Sequence, residues 1–384
     1  MKKKVSILTY ALARGGTEKV VSILIKELST DYKIYLVLTS NIIEYPIPEN
    51  VKLLVINDGN AGDNLFFTFL KLPFLSYRYF KFCVKNEIEI SFSFLNRPNY
   101  IATMMRFFGW RRKIFISERT STLLQYSGNT LKSLAGRYLV KKLYPKADLI
   151  IPNAYANMSD LSNVYKIKNN YKVIYNPINL QNILSRKNEL ADNFKDSRFT
   201  FLMLGRFMIE KDQSSLIEAF SLFKYKNESR LVLIGYGYTD KALKAKIQEL
   251  KLESNVLIID FVKNPYMYLS KVDCFVLSTI QEGFPNVLLE ALACSLPVIA
   301  SDCKVGPREL LAPGTDYNVQ ITTGIEVAEY GILVPVKNPP LLASSMERIY
   351  EDDNLRKKYR EIALSRAKDF DIPLIIKEYK EILG

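Results

Sequence analysis

Short β-rich runs alternate with stretches of helical period along this chain, and the alternation stops once and then begins again. In the first half the strand candidates are residues 5–10, 34–39, 51–56, 89–95, 113–117, 148–153 and 172–176, with helical patterns at 17–28, 100–108 and 131–143. The polar stretch 179–197 interrupts the pattern and reads as a connection between domains. Strand candidates then resume at 201–204, 231–234, 256–259, 274–277, 297–300 and 331–334, with helices at 214–225, 241–250 and 286–293. The tail from 340 to 383 is helical, broken near 369–373. Such alternation builds parallel sheets flanked by helices. A chain of 384 residues suits two such domains. The expected class is therefore α/β, with two doubly wound sheets in series and ligands at the carboxyl ends of the strands. The expected divisions are 1–178, a linker at 179–197, 198–368, and a closing helix at 369–384.

Composition removes several chemistries. The chain contains no histidine, which excludes Ser-His-Asp and Cys-His nucleophiles, histidine-bearing zinc sites and a histidine general base. Cys83, Cys274, Cys294 and Cys303 show no metal spacing and sit among apolar or small residues, so they read as buried free thiols of a reducing compartment. Residues 1–200 carry 30 Lys and Arg against 15 Asp and Glu, whereas residues 201–384 carry 23 against 25. A basic half joined to a neutral half points the first half at an anionic partner. No run of 18 apolar residues exists, so no membrane-spanning helix is expected. Lys2-Lys3-Lys4 followed by a short apolar run imitates a leader peptide, but the run is interrupted by Ser6, Thr9 and Tyr10 and is patterned as a strand.

The strongest chemical signal is Glu282-Gly283-Phe284-Pro285-Asn286-Val287, followed by Glu290, directly after a strand. Proline at the opening of a helix costs no hydrogen bond. The first-turn amides and the positive end of the helix dipole suit an anionic or polyhydroxyl ligand, with Glu282 near and Glu290 further along; two solvated glutamates on a capped helix would read the same way. The second signal is Gly205-Arg206 and Lys211 after the preceding strand, a pair of cations suited to a diphosphate unless Glu210 or Asp212 neutralises them. Gly15-Gly16 and Gly235-Tyr236-Gly237 also follow strands, without completing a dinucleotide fingerprint.

Together with Gly306-Pro307-Arg308-Glu309, these stretches resemble the family-4 retaining glycosyltransferases, whose GT-B fold has two Rossmann-like domains facing across a cleft and implies that the helix at 369–384 packs back on the first domain. The likeness is closest over 201–311. It implies a nucleotide-sugar donor, UDP-hexose or UDP-N-acetylhexosamine, held by the C-terminal domain, and an acceptor held by the N-terminal domain. By carry-over, Arg206 and Lys211 neutralise the departing diphosphate, Glu282 with the amides of Gly283, Phe284 and Asn286 grips the sugar, and Pro285 and Val287 belong to the same donor-binding stretch. Gly205 belongs to the same turn, Glu290 meets the ribose, the backbone near Val262 meets the base, and Gly16 closes over the diphosphate. Negative charge grows on the leaving oxygen, and fixed cations can absorb it without a metal or other cofactor. The lone D-x-D, Asp369-Phe370-Asp371, reads as a helix cap. One departure stands out: many relatives carry a histidine where this chain reads Glu118-Arg119, and arginine cannot act as a base. Arg119 is expected to bind an acceptor phosphate, order the loop, or pair with Glu118 at the surface.

The stretch 65–85 holds eight aromatics interleaved with Lys71, Arg78, Lys81 and Lys85, and 104–113 sets Arg106, Arg111, Arg112 and Lys113 beside Phe107, Phe108 and Trp110. Such mixtures suit the headgroup boundary of an anionic membrane. Phe74, Arg78, Lys81, Trp110, Arg111 and Arg112 are the expected contacts for a peripheral enzyme on the cytoplasmic face of the plasma membrane, where a polyprenyl-diphosphate-linked glycan would be the acceptor. The rival reading is that the aromatics pack the helices onto the sheet. A nucleic-acid-binding role fits the pI of about 9.3 but no nucleic-acid motif is present, so none is expected as a partner. An epimerase, a glycan phosphorylase or a non-catalytic sugar-nucleotide binder would share the fold.

Overall fold

The computed structural model describes residues 2–56, 70–189 and 197–384. The chain divides into two compact units, Met1–Pro177 with Ile372–Gly384, and Ile178–Asp371.

The first unit is built on strands β1 (Lys4–Thr9), β2 (Lys33–Leu38), β3 (Lys52–Val55), β4 (Ile90–Phe94), β5 (Lys113–Glu118) and β6 (Leu149–Pro152). Its helices include α1 (Gly16–Leu28), α2 (Leu72–Lys85), α3 (Asn96–Met104) and α4 (Leu131–Leu143). All pairings are parallel, in the order β3-β2-β1-β4-β5-β6. Parallel strands need crossover helices on both faces, so both faces are dry. One face carries Val37, Ile114 and Ile116 against Leu75, Tyr79 and Val140 of α2 and α4. The other carries Val5, Ile7, Ile34 and Leu36 against α1 and the final helix. The hydroxyl of the fully buried Tyr79 lies 2.9 Å from both Ser6 Oγ and Ser91 Oγ, so its polar tip is satisfied inside the core.

The second unit contains helix α5 (Leu180–Arg186), strands β7 (Phe199–Leu204), β8 (Ser229–Ile234), β9 (Val256–Ile259), β10 (Cys274–Leu277), β11 (Val298–Ser301), β12 (Glu326–Val327) and β13 (Ile332–Val334), and helices α6 (Gln213–Leu222), α7 (Asp240–Glu249), α8 (Asn286–Ala293), α9 (Pro339–Glu351) and α10 (Asp353–Lys368). Its sheet runs β12-β13-β11-β10-β7-β8-β9, parallel except for the short edge strand β12. Without β12 this is the first sheet's order repeated. Each sheet therefore reverses direction once, between β1 and β4 and between β7 and β10, and those reversals are where doubly wound folds place ligands. The closing helix α11 (Ile372–Leu383) belongs to the first unit, where Ile375, Ile376, Tyr379 and Leu383 pack with Val20, Val21 and Leu24 of α1.

Two readings of the sequence need correction. Residues 172–176 form no strand. The segment runs beside β6, with Lys172 N–H donating to Ile150 at 3.2 Å and Ile174 N–H to Pro152 at 3.0 Å. The ladder bond between these two would need an N–H on Pro152, and proline has none. The stretch 179–197 is not wholly a linker, because its first residues fold as α5, capped by Asn179 Oδ1 on Asn182 N–H at 2.9 Å. All four cysteines are free and buried. Asp369 and Asp371 sit at a helix end: Asp369 pairs with Arg366 at 2.9 Å, and Asp371 accepts the Leu180 N–H at 3.3 Å.

Candidate active site

The site is assembled at the reversal of the second sheet. Strand β7 ends at Leu204, and the chain turns through Gly205 and Arg206 into a short 3-10 turn at Ile209–Lys211. This turn lies against the glycine turn that follows β8. Phe207 N–H donates to Tyr236 at 2.8 Å, and a Cβ added to Gly235 would come within 1.9 Å of Gly205 O. Only glycine permits that approach.

From the neighbouring strand β10 the chain enters residues 278–281, and four hydrogen bonds stitch these to the first turn. Ser278 Oγ donates to the carbonyls of Lys211 and Asp212 at 3.2 and 2.8 Å. Thr279 Oγ1 and the Ile280 N–H donate to the carbonyl of Glu210 at 2.8 and 2.9 Å. Held in this way, the Lys211 ammonium donates to Glu282 Oε1 in a largely buried ion pair. The sequence expectation of two unneutralised cations is thus half right. Lys211 is paired, though with neither Glu210 nor Asp212. Arg206 is exposed, with no carboxylate paired to it among the described residues, while its carbonyl accepts from Gln213 Nε2 at 3.0 Å.

Past Glu282 the loop Gly283-Phe284-Pro285 leads into α8, whose first residue is Asn286 and second Val287. Phe284 is buried against Phe370, with ring centroids 5.9 Å apart. Beneath it lies Gly306, at φ 99°, whose added Cβ would meet Pro285 Cδ at 2.4 Å. That supporting turn is braced by a buried cluster invisible in the sequence pattern. Arg308 reaches Asp302 Oδ2 at 2.6 Å, Glu326 Oε2 at 2.8 Å and Thr315 Oγ1 at 3.2 Å, and Asp302 also accepts the Ile321 N–H at 2.8 Å. Glu290 is buried on α8, and Val262 is half-buried beside Phe261, whose ring meets Tyr236 edge-on at 6.0 Å.

Two glycine-led turns and a Lys–Glu pair thus meet at the reversal of the second sheet. Residues 185–366 match the family described as glycosyl transferases group 1. Over 387 aligned residues the chain is 38% identical to a Campylobacter jejuni enzyme named N-acetylgalactosamine-N,N'-diacetylbacillosaminyl-diphospho-undecaprenol 4-alpha-N-acetylgalactosaminyltransferase, covering 100% of both chains. The chain belongs to the group 1 glycosyl transferases. An uncharacterized glycosyltransferase of Methanocaldococcus jannaschii is 34% identical over 71% of this chain and 74% of its own. Among solved structures, Anabaena Alr3699/HepE in complex with UDP superposes with a TM-score of 0.78 at 18% identity, covering 100% of this chain and 99% of that one. This likeness establishes the GT-B fold.

In the first unit of this glycosyltransferase, Gly16 is the exposed first residue of α1, after β1. Glu118 ends β5 and Arg119 follows it, and both are buried, so the surface ion pair weighed from the sequence does not form. Glu118 Oε2 accepts from Tyr144 Oη at 2.6 Å. Burial pushes its carboxyl up to about 7, against the lowering effect of that hydrogen bond. The Arg119 guanidinium lies over the Phe94 ring, 5.6 Å from its centroid, with Nη1 3.4 Å from Tyr379 Oη on α11. This setting suits the ordering role weighed for Arg119, while its Nε and Nη2 are buried with no hydrogen-bond partner among the described residues. Sequence reasoning also missed Leu95, at the end of β4, which holds φ 76° and ψ 157°.

The aromatic-basic stretches divide between core and surface. Phe74 and Phe107 are 61% and 62% exposed, and Arg78, Lys81 and Lys146 lie over the rings of Phe74, Tyr77 and Phe107. Arg111 and Arg112 are exposed. Trp110, expected at the surface, is buried edge-on against Phe80, because the ring fills the space between α2 and β5. Phe66, Phe67 and Phe69 lie outside the described residues. Among the described residues no helix is long and apolar enough to cross a membrane.

Proposed function

We propose that this enzyme transfers an N-acetylhexosamine, with retention of configuration and without a metal, from a UDP-sugar to a polyprenyl-diphosphate-linked glycan. The observation that carries the reading is the Lys211–Glu282 pair beside exposed Arg206 at the sheet reversal. The identity of substrates is supported by the full-length Campylobacter relative, whose name specifies N-acetylgalactosamine transfer to a diphospho-undecaprenol acceptor, and by the UDP in the Anabaena structure.

Breaking the sugar–phosphate bond sends an electron pair to the diphosphate oxygen. Arg206 and Lys211 oppose that charge, and preorganised cations in a partly dry site act without reorganising. Pairing with Glu282 fixes the Lys211 ammonium before substrate arrives. Glu282 in turn offers its second oxygen to a sugar hydroxyl, with the backbone of Gly283–Val287 alongside. Glu290 serves the ribose, and the backbone near Val262, flanked by the Tyr236–Phe261 pair, serves the base. With no histidine in the chain, the acceptor proton passes to the departing phosphate on the same face of the sugar, which is what preserves configuration.

The exposed Phe74 and Phe107 with their attendant cations support peripheral attachment to the cytoplasmic face of the plasma membrane, where such an acceptor would lie. The deciding assay measures UDP release from UDP-N-acetylgalactosamine with and without a polyprenyl-diphosphate-linked acceptor, in buffer containing a chelator, with the product anomer read by NMR. Release without acceptor, or an inverted product, overturns the proposal. Flotation with vesicles tests the attachment.

A further inference from the structure

Strands β1, β4 and β5 are neighbours, and their register sets Val5 beside Ile90 and Ile90 beside Lys113. The residues just before them are therefore aligned as well: Lys2-Lys3-Lys4, Glu87 to Glu89, and Arg111-Arg112. Three segments distant in the chain thus converge on the amino-terminal edge of the sheet. They line a cavity of about 770 Å³, together with Lys113 and Ile90. Six of its residues are cations and two are carboxylates.

The internal partners do not neutralise this charge. Lys4 pairs with Glu87, and Glu89 accepts the Lys4 backbone N–H at 2.9 Å. Lys3 donates to the carbonyl of Leu383 at 2.8 Å, and Arg112 to that of Ile88 at 2.8 Å. Arg111 has no acceptor among the described residues. Like charges held together in this way repel, and the repulsion is relieved when an anion enters. Adjacent arginines favour phosphate oxygens. Substrates of a doubly wound fold bind at the carboxyl ends of strands, so this cavity, one strand length or about 20 Å away, is not part of the transfer site.

We infer that the cavity is a headgroup site for an anionic phospholipid. This rests on the membrane attachment proposed above and names its polar anchor. The source of the phosphate is indicated by what adjoins the cavity. Trp110 precedes Arg111 and packs on Phe80, which meets Phe108, which meets Tyr77 on α2. Trp110 itself is buried and Phe80 and Phe108 are half-buried, whereas Tyr77, Phe107 and, on the last turn of α2, Val84 are exposed. A lipid phosphate in the cavity would leave its acyl chains beside these side chains.

The test uses the full chain with vesicles of phosphatidylcholine alone or with 30% phosphatidylglycerol. Binding is read by flotation and by the fluorescence of Trp110, the single tryptophan. The wild type is expected to favour the anionic vesicles, and Arg111→Glu with Lys113→Glu to weaken that binding by roughly tenfold or more. The milder pair Arg111→Gln with Lys113→Gln covers the case in which charge reversal harms folding, checked by thermal melting. Unchanged binding by folded variants overturns the headgroup site while leaving membrane attachment standing. No vesicle binding by the wild type overturns both. A Trp110 response saturated by inorganic phosphate while vesicles stay bound assigns the cavity to a free anion, and displacement of vesicles by a single-stranded oligonucleotide assigns it to nucleic acid; either overturns the lipid reading.

Discussion

Lys211 donates to the carboxylate of Glu282, 71 residues further along the chain, and the two side chains remain 22% and 9% exposed. The pair exists because Ser278, Thr279 and Ile280 tie the end of β10 to the turn after β7. Lys211→Ala and Glu282→Ala should each lower kcat by about 10²–10³. The double variant should cost less than the product of the two, since both remove one shared interaction. UDP release gives the rates, and circular dichroism confirms folding. Near-normal rates in both single variants would refute the site.

Glu118 gives the first unit a defined pH dependence. Its carboxyl stands at about 7 in the folded protein against 4.5 unperturbed. Below 4.5 both states hold the proton and the group contributes nothing. Between 4.5 and 7 the unfolded chain releases its proton while the folded one keeps it, so stability falls as pH rises, and above 7 the loss is complete. Glu118→Gln keeps an acceptor for Tyr144 and removes the titration. The stability of the variant relative to wild type should therefore climb from pH 4.5 to 7 and then level off in urea titrations. A difference independent of pH would contradict this.

Gly306 supports the Glu282 loop by lacking a side chain. Gly306→Ala places a Cβ against Pro285 at a φ of 99°. The strain should destabilise the protein by about 1–3 kcal/mol. It should also raise the donor KM more than it lowers kcat, since the loop is displaced rather than stripped of groups. Denaturant titration and steady-state kinetics separate the two effects.

Leu95 occupies backbone territory that is almost exclusive to glycine. Its N–H donates to Ser117 at 3.3 Å and its carbonyl accepts from Asn99 at 2.9 Å, and these bonds hold the strained turn. Leu95→Gly should stabilise by about 1 kcal/mol, the strain released outweighing the added chain entropy. Leu95→Val should destabilise by a similar amount, because a β-branched residue fits this region worst. Turnover should fall in the glycine variant, since the turn closes the sheet reversal of the first unit. A stable, fully active Leu95→Val would show the turn to be dispensable.

The periodic pattern determined the two sheets, the helical tail and the glycine turns that follow the strands, because strand burial and glycine turns are local and leave their mark residue by residue. It could not show which strands become neighbours. That choice paired Lys211 with Glu282 rather than with Glu210 or Asp212, drew Arg308 onto Asp302 and Glu326, and turned Glu118 and Arg119 inward instead of towards solvent. The failed strand at 172–176 is of the same kind, since the proline that interrupts its ladder lies on a different segment. Hydrophobic period reports whether a side chain is buried; partners are set by sheet order and register, which join residues far apart in sequence, and only the folded chain contains them.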